Sequence, residues 1–184
     1  QSSAASDVYK RQLDINSKDF LKKVDLIIVA VPPKQTLDVL NDLKDIWNTD
    51  VTITDTSSVK NHIKLNGASN IVLSHPIAGS DQCGISAANG DLFKNKKNVL
   101  CDPFNSKKGH FEKVDNFWKN ALQMRTSSMS VSEHDLIFAM TSHLPHLVSY
   151  ALIDSIRLSN HDVDDNAGGC LLYTSPSPRD RVLS

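Results

Sequence analysis

His75 is the residue of this chain best suited to acid–base chemistry. It follows the apolar run Ile71–Leu73, and Pro76 disfavours helical geometry at the residue before it, so His75 is held extended at the end of a strand. An imidazole exchanges a proton near neutral pH, which makes a histidine in this position a candidate general base. A histidine that only ends a buried strand would produce the same local pattern, so other segments have to decide.

Two other segments end predicted strands with proline or with small polar residues. The apolar run Asp25–Val31 stops at Pro32, and the run Val51–Thr54 is followed by the polar segment Asp55–Ser58. The carboxyl ends of parallel strands meet at one edge of a sheet, which is where open α/β sheets bind ligands. We therefore expect both segments to line one crevice together with His75.

The interior of the chain alternates strands and helices. Apolar residues at helical spacing predict one helix after the first strand and another over 111–122. The capping side chains of Asp55–Ser58 predict a further helix that runs through Lys64. Ile71–Ser74 and Asn98–Cys101 are the third and fourth predicted strands. This alternation with short links predicts an α/β fold, a parallel sheet with helices on its faces.

The sequence changes character after Met129. Ser130 and Glu133 have the spacing of a capping box, and an apolar helical stripe then continues to about Leu158. A helix this apolar is usually buried, either in a core or between subunits. Pro145 removes a backbone donor and predicts a kink. We interpret this segment as the first helix of a second, all-helical domain.

This helix carries two histidines three residues apart, His143 and His146, with Asp135 two turns earlier. Three interpretations compete. The side chains contact a substrate, they form a metal site together with His134, or they are core histidines satisfied by hydrogen bonds. No cysteine or second carboxylate stands at ligand spacing, which disfavours the metal site.

The composition is that of an ordinary soluble globular protein. The formal net charge is −1, with 40% hydrophobic and 22% charged residues, which does not suggest binding to nucleic acid or to a membrane surface. The 3 cysteines are too few and too widely spaced for a disulfide framework or a zinc knuckle. No secretory signal or transmembrane run is expected. The small number of cysteines therefore predicts a protein of the reducing cytoplasm.

The two ends of the chain differ from its interior. Residues 1–12 and 170–184 lack helical and strand periodicity and resemble translated sequencing adaptor. We therefore expect the native sequence to lie within 13–169. It divides into a sheet-forming part, 13–129, and the start of the helical domain, 130–169.

Five segments, in this order, resemble the prephenate dehydrogenase family, which includes arogenate and cyclohexadienyl dehydrogenases. They are Asp25–Pro32, Thr54-Asp-Thr-Ser-Ser-Val-Lys60, Ser74-His-Pro-Ile-Ala-Gly-Ser-Asp81, Ala87–Phe93, and His134-Asp135 through Ser142-His-Leu-Pro-His146. The resemblance implies that 13–129 is the C-terminal part of a Rossmann-type nucleotide-binding domain. It also implies that 130–169 begins a helical substrate and dimerisation domain, so that the full-length protein is a cytoplasmic homodimer.

The resemblance further implies a reaction. A cofactor, NAD or NADP, takes hydride from prephenate, and loss of the ring carboxylate yields 4-hydroxyphenylpyruvate; arogenate is the alternative substrate. His75 accepts or polarises the hydroxyl proton, and Ser58 hydrogen-bonds the same hydroxyl. The other implied residues are Val31, Pro32, Asp55 and Ser57 for the cofactor, and Asp81, Asp135, His143 and His146 for the substrate.

The family's glycine-rich phosphate loop and its substrate-binding arginine have no counterpart in the chain. We therefore expect this polypeptide, as written, to be inactive. Two alternatives remain open. A hydroxyacid dehydrogenase of the 6-phosphogluconate type would need a lysine in the helical domain, and none follows Lys119. A non-catalytic binding or dimerisation module would explain the apolar stretch Leu136–Leu158 but not the position of His75.

Overall fold

The computed structural model describes residues 18–79, 88–107 and 109–158. The strands are β1 (Leu26–Val29), β2 (Thr52–Asp55), β3 (Ile71–Ile77), β4 (Lys97–Cys101) and β5 (Arg125–Ser128). The α-helices are α1 (Lys18–Leu21), α2 (Pro33–Asp42), α3 (His110–Asn116), α4 (Val131–Phe138) and α5 (Leu144–Leu158). A 3-10 turn (Lys44–Ile46) follows α2, and π turns follow α3 (Phe117–Ala121) and α4 (Ala139–His143).

The five strands form one sheet in the order β1-β2-β3-β4-β5. β1, β2 and β3 are mutually parallel, as predicted, and Val29 lies beside Asp55 at the carboxyl ends of the first two. β4 runs antiparallel to β3, which was not expected. A parallel pair needs a crossover, usually a helix, whereas the described part of this connection, residues 88–96, contains only turns.

β5 pairs parallel with β4, although its sequence, Arg-Thr-Ser-Ser, has no strand pattern. Its backbone pairing with β4, rather than side-chain burial, makes it a strand. Alternate residues of β3 and β4 face opposite sides of the sheet. Leu73 and Val99 pack on one side with Leu40 of α2, while Val72 packs on the other with Trp118. Helices therefore cover both faces, as the α/β prediction required.

The helix predicted from Asp55–Ser58 through Lys64 is absent, and that prediction was wrong. Residues 56–64 form an irregular loop instead, with a turn at 61–62. The Asp55 carboxylate accepts a hydrogen bond from the backbone N–H of Ser57 at 3.0 Å, and Ser57 Oγ donates to the carbonyl of Val59 at 3.0 Å. Side chains that bond to their own turn in this way compete with helix formation.

The capping box before α4 is confirmed on its serine side. Ser130 Oγ accepts a hydrogen bond from the backbone N–H of Glu133 at 3.2 Å. The break predicted at Pro145 takes the form of the π turn immediately before α5. Its wider backbone turn relieves the clash between a proline ring and the carbonyl four residues earlier.

The apolar stripe of α4 and α5 is exposed to solvent. Leu136 is 63% exposed and Leu147 is 65% exposed, so burial in a core formed by the described residues is not observed. By length and composition, Val131–Ile156 is apolar enough to cross a membrane, and the expectation of no such run was wrong on that criterion. An apolar face of this size calls for a covering partner.

Candidate active site

His75 lies where the parallel strands meet β4. β3 extends past the end of β2, and His75 is paired with Val99 across the antiparallel ladder. The His75 ring is partly buried, and its Nδ1 lies 2.9 Å from Nε2 of His134. The same ring makes a T-shaped contact with the ring of Phe138, with the two centroids 4.6 Å apart. This contact uses Nδ1, so a base at this position would act through Nε2.

Asp135 connects His134 to the turn that follows β2. Its Oδ1 lies 2.7 Å from His134 Nδ1. The same carboxylate accepts hydrogen bonds from the backbone N–H of Lys60 at 3.0 Å and from that of Asn61 at 2.8 Å. Asp135 therefore ties the first turn of α4 to the carboxyl edge of the sheet, and His134 is brought over His75.

The Lys60 side chain is fully buried beneath this edge. Its Nζ donates to the two carboxylate oxygens of Asp55 at 2.8 and 2.7 Å and to the carbonyl of Ser74 at 2.5 Å. The Asp55 carboxylate also accepts the backbone N–H of Ser74 at 3.0 Å. Because Ser74 precedes His75, this ion pair sets the position of the histidine relative to β2.

Burial and neighbouring charges change the acid–base properties of this network. Burial, then the positive charge of Lys60, lowers the pKa of His75 to about 3. Burial also lowers the pKa of His134, although the hydrogen bond that this ring donates to Asp135 opposes the shift. Burial raises the pKa of Asp135, but hydrogen bonds from His134 and from the backbone of Asn61 and Lys60 outweigh it and hold that pKa below its usual value. At neutral pH both imidazoles are neutral and Asp135 is an anion.

The predicted cofactor residues lie at the expected edge. Val31 follows β1, Pro32 is the N-cap of α2, and Ser57 is in the turn after β2. The Asp55 carboxylate is completely buried, and both of its oxygens have internal partners. Asp55 therefore stabilises the edge through hydrogen bonds inside the protein, and a contact between its side chain and a cofactor stays a prediction.

The predicted substrate residues are only partly brought together. Ser58 is partly exposed in the turn after β2. His143 is exposed in the π turn, close enough to His75 for its charge to lower the pKa of that residue. His146 is exposed on α5, so neither residue is a core histidine, and a role for either in substrate binding stays a prediction. Asp81 lies outside the described residues.

The metal-site interpretation receives no support. Within residues 18–79, 88–107 and 109–158, no three histidine, cysteine or acidic side chains are grouped as metal ligands would be. His134 instead bonds to an imidazole on one side and to a carboxylate on the other.

Two members of the network, Lys60 and His134, were not among the predicted catalytic, cofactor or substrate residues; His134 was considered only as a metal ligand. Lys60 follows a buried aspartate by five residues, and His134 stands beside an aspartate in the first turn of a capped helix. Neither signal is specific, because a lysine in a turn and a polar pair in a first helical turn are ordinarily exposed. Their burial depends on contacts distant in sequence.

Comparison with known proteins agrees with this geometry. The family model described as "Prephenate dehydrogenase, nucleotide-binding domain" matches residues 2–124, and "Prephenate dehydrogenase, dimerization domain" matches residues 130–178. The chain belongs to the prephenate dehydrogenase family. The predicted change of domain near Met129 coincides with the gap between the two matches. Both matches reach into the terminal segments 1–12 and 170–184, whose adaptor origin stays a prediction.

Individual members of the prephenate dehydrogenase family show the same relationship. The chain is 30% identical to the cyclohexadienyl dehydrogenase of Zymomonas mobilis over 151 residues, which cover 76% of this chain and 49% of that protein. It resembles the prephenate dehydrogenase of Aquifex aeolicus in complex with hydroxyphenyl propionate and NAD+, with a TM-score of 0.71 and 27% identity over 93% of this chain and 59% of that one.

A third relative is the arogenate dehydrogenase of Synechocystis, with a TM-score of 0.68 and 26% identity over 98% of this chain and 66% of that one. The chain spans half or less of the length of the curated relatives that it matches. The similarity confirms the predicted fold class, a partial Rossmann-type sheet followed by the first helix of a dimerisation domain.

Proposed function

We propose that the protein containing this chain catalyses the NAD- or NADP-dependent oxidative decarboxylation of prephenate to 4-hydroxyphenylpyruvate, a step in tyrosine biosynthesis. The observation that carries the proposal is His75, an imidazole kept neutral at the carboxyl edge of a Rossmann-type sheet in a chain of this family. A neutral imidazole at that edge is suited to accept the proton of a substrate hydroxyl.

The edge fits a nicotinamide nucleotide. α2 begins directly after β1, with Pro32 as its N-cap, and its first turn has no acidic residue and no side-chain cap. The helix dipole there favours the polar and anionic parts of a cofactor, although Pro32 and Pro33 offer it no backbone N–H. Val31 and Pro32 offer it backbone and apolar contacts, and Ser57 belongs to the neighbouring turn.

His75 performs the proton chemistry in this proposal. Its Nε2 would accept the hydroxyl proton, and a bound nicotinamide would supply the acceptor for the hydride of the same carbon. The ring carboxylate then departs as carbon dioxide, and the electrons of the broken bond make the ring aromatic. The imidazolium of His75 returns its proton to the ring oxygen, which gives the phenol of 4-hydroxyphenylpyruvate. Ser58 holds the hydroxyl oxygen at the same edge. The carboxylates of prephenate raise the pKa of His75 from its ligand-free value, because a nearby anion favours the imidazolium.

The test is a kinetic assay of the purified full-length protein with prephenate and with NAD and NADP separately. Reduced cofactor and 4-hydroxyphenylpyruvate should form in equal amounts. His75→Asn should lower kcat by about 10²–10⁴-fold while cofactor binding persists. His110→Asn is the matched control, because His110 bonds to Thr52 at the opposite end of β2. Turnover within a few-fold of wild type in His75→Asn would refute the assignment.

Arogenate is the second candidate substrate, because the Synechocystis relative is an arogenate dehydrogenase. The two substrates carry the same ring hydroxyl and ring carboxylate, so the role of His75 is unchanged. The same assay with arogenate, scored by tyrosine formation, separates them. A larger kcat/KM for arogenate would transfer the assignment to that substrate.

We also propose that the full-length protein is a cytoplasmic homodimer. The match to a dimerisation domain covers the whole of α4 and α5. The exposed apolar side chains of these helices are the natural interface, since a second copy would remove them from water.

A further inference from the structure

The contact between His75 and His134 has two possible hydrogen-bond directions. At a separation of 2.9 Å, one ring nitrogen must donate and the other must accept. If His75 Nδ1 donates, Nε2 of His75 carries a lone pair and can accept a proton. If His134 Nε2 donates instead, the proton of neutral His75 sits on Nε2 and the base is blocked. The direction of this one hydrogen bond therefore decides whether His75 can act.

Asp135 removes the ambiguity. A carboxylate can only accept, so its contact with His134 Nδ1 at 2.7 Å requires the proton of that ring to be on Nδ1. Neutral His134 then has a lone pair on Nε2, which accepts from His75 Nδ1. Asp135 thereby fixes the direction of both hydrogen bonds: His134 donates to Asp135, and His75 donates to His134. We call these three side chains the relay.

The backbone keeps Asp135 in the form that this requires. The N–H groups of Lys60 and Asn61 both point at its carboxylate, at 3.0 and 2.8 Å, and stabilise the anion. His134 is completely buried and packs against Phe138, with ring centroids 4.7 Å apart, so its ring cannot turn freely. Each part of the relay is thus held by the surrounding fold.

We propose that Asp135 and His134 are positioning residues that hold His75 as the Nδ1–H tautomer, with Nε2 free to take the substrate proton. The inference rests on the proposed function for its kinetic consequence, but the tautomer itself is a property of the ligand-free protein. Asp135→Asn is the informative change. An amide can place an NH₂ group where the carboxylate oxygen meets His134, which reverses the hydrogen-bond direction along the relay.

The experiment measures the imidazole nitrogens by ¹⁵N NMR in the full-length protein labelled at histidine, at neutral pH, with His75→Gln used to assign the His75 signals. In the wild type, both His75 and His134 should carry their proton on Nδ1. In Asp135→Asn, the His75 proton should move to Nε2, and kcat should fall by about 10²-fold or more while KM changes little. Because the wild-type tautomers are read directly, the test stands even if Asp135→Asn does not fold.

The matched control is Glu133→Gln. It removes the same charge from the same helical turn, but Glu133 is exposed and its side chain is no part of the relay. It should leave the His75 tautomer and kcat unchanged. A wild-type His75 protonated on Nε2, or an Asp135→Asn protein that keeps both the tautomer and kcat, would overturn the inference. A wild type with the expected tautomers but no activity on prephenate or arogenate would instead refute the proposed function alone.

Discussion

Lys60 Nζ contacts both carboxylate oxygens of Asp55, at 2.8 and 2.7 Å, and neither side chain is exposed to solvent. The pair closes the turn that replaces the expected helix after β2. Burial lowers the pKa of Lys60, and attraction to Asp55 opposes that shift. A buried ion pair adds little net stability, but it is costly to break, because the remaining partner is left charged without water. The pair therefore specifies the shape of the edge under His75.

The first prediction concerns this ion pair. Lys60→Met should lower the free energy of unfolding by about 3–5 kcal/mol, because Asp55 is left buried without its counter-charge. Urea denaturation measures the change. Lys64→Met is the control, since Lys64 is exposed and donates to Asn61 Oδ1 at 2.9 Å on the surface. A surface change of this kind stays within about 0.5 kcal/mol. Equal effects of the two substitutions would contradict the prediction.

The second prediction is the pH dependence of stability. The pKa of His75 falls from 6.5 in the unfolded chain to about 3 in the fold, so between these values the unfolded chain binds more protons. The contribution of His75 to the free energy of unfolding should therefore be fully present above pH 6.5. It should decrease as the pH falls, by up to about 1.4 kcal/mol per pH unit.

Urea denaturation of wild type and His75→Gln between pH 7.5 and pH 4.5 checks this second prediction. The free energy of unfolding should depend less steeply on pH in the variant than in the wild type. Some dependence should remain, because burial also lowers the pKa of His134 and of His110. Identical slopes for the two proteins would show that His75 is not responsible.

The third prediction concerns Ser130, the N-cap of the helix that contains His134 and Asp135. Ser130→Ala removes the acceptor of the Glu133 backbone N–H and should cost about 1 kcal/mol of unfolding free energy. It should also loosen the first turn of α4, in which His134 lies. Ser130→Asp keeps an acceptor oxygen and should restore most of the loss. Thermal unfolding of both variants is the measurement, and a Ser130→Asp protein as unstable as Ser130→Ala would exclude capping as the cause.

The fourth prediction concerns the exposed face of α4 and α5. Leu144 and Leu147 are 53% and 65% exposed, so replacing both with glutamate should leave the fold of one subunit intact while placing four charges in a homodimer interface. Analytical ultracentrifugation of the full-length protein should find a dimer for the wild type and a monomer for this double variant.

The matched control for the dimer adds the same two charges on the exposed side of α2, as Gln35→Glu with Asn41→Glu, and should remain dimeric. A dimer that survives Leu144→Glu with Leu147→Glu would place the interface elsewhere. Partition of the wild type into vesicles rather than a dimer in solution would show that a membrane, and not a second copy, covers this face.

Features that depend on neighbouring residues could be predicted from the sequence. Apolar runs ended by proline or small polar residues identified β1, β2 and β3 and the edge at which they meet. Pro76 predicted an extended His75, and the spacing of Ser130 and Glu133 predicted the start of α4. These signals are reliable because steric limits at proline and capping hydrogen bonds act over one to four residues.

Other features depend on parts of the chain that are distant in sequence. The predicted helix after β2 was overridden by Lys60, which turns inward to reach Asp55, and β5 is a strand only because β4 lies beside it. In the same way, His75 and His134 are 59 residues apart and meet only when α4 packs over the sheet edge.

The amino-acid sequence by itself thus determined the three strands that end at the carboxyl edge, the family and the candidate base. Only the tertiary structure decided which groups surround that base, since burial and hydrogen-bond direction arise from contacts between Asp135, His134 and His75 that no local pattern encodes.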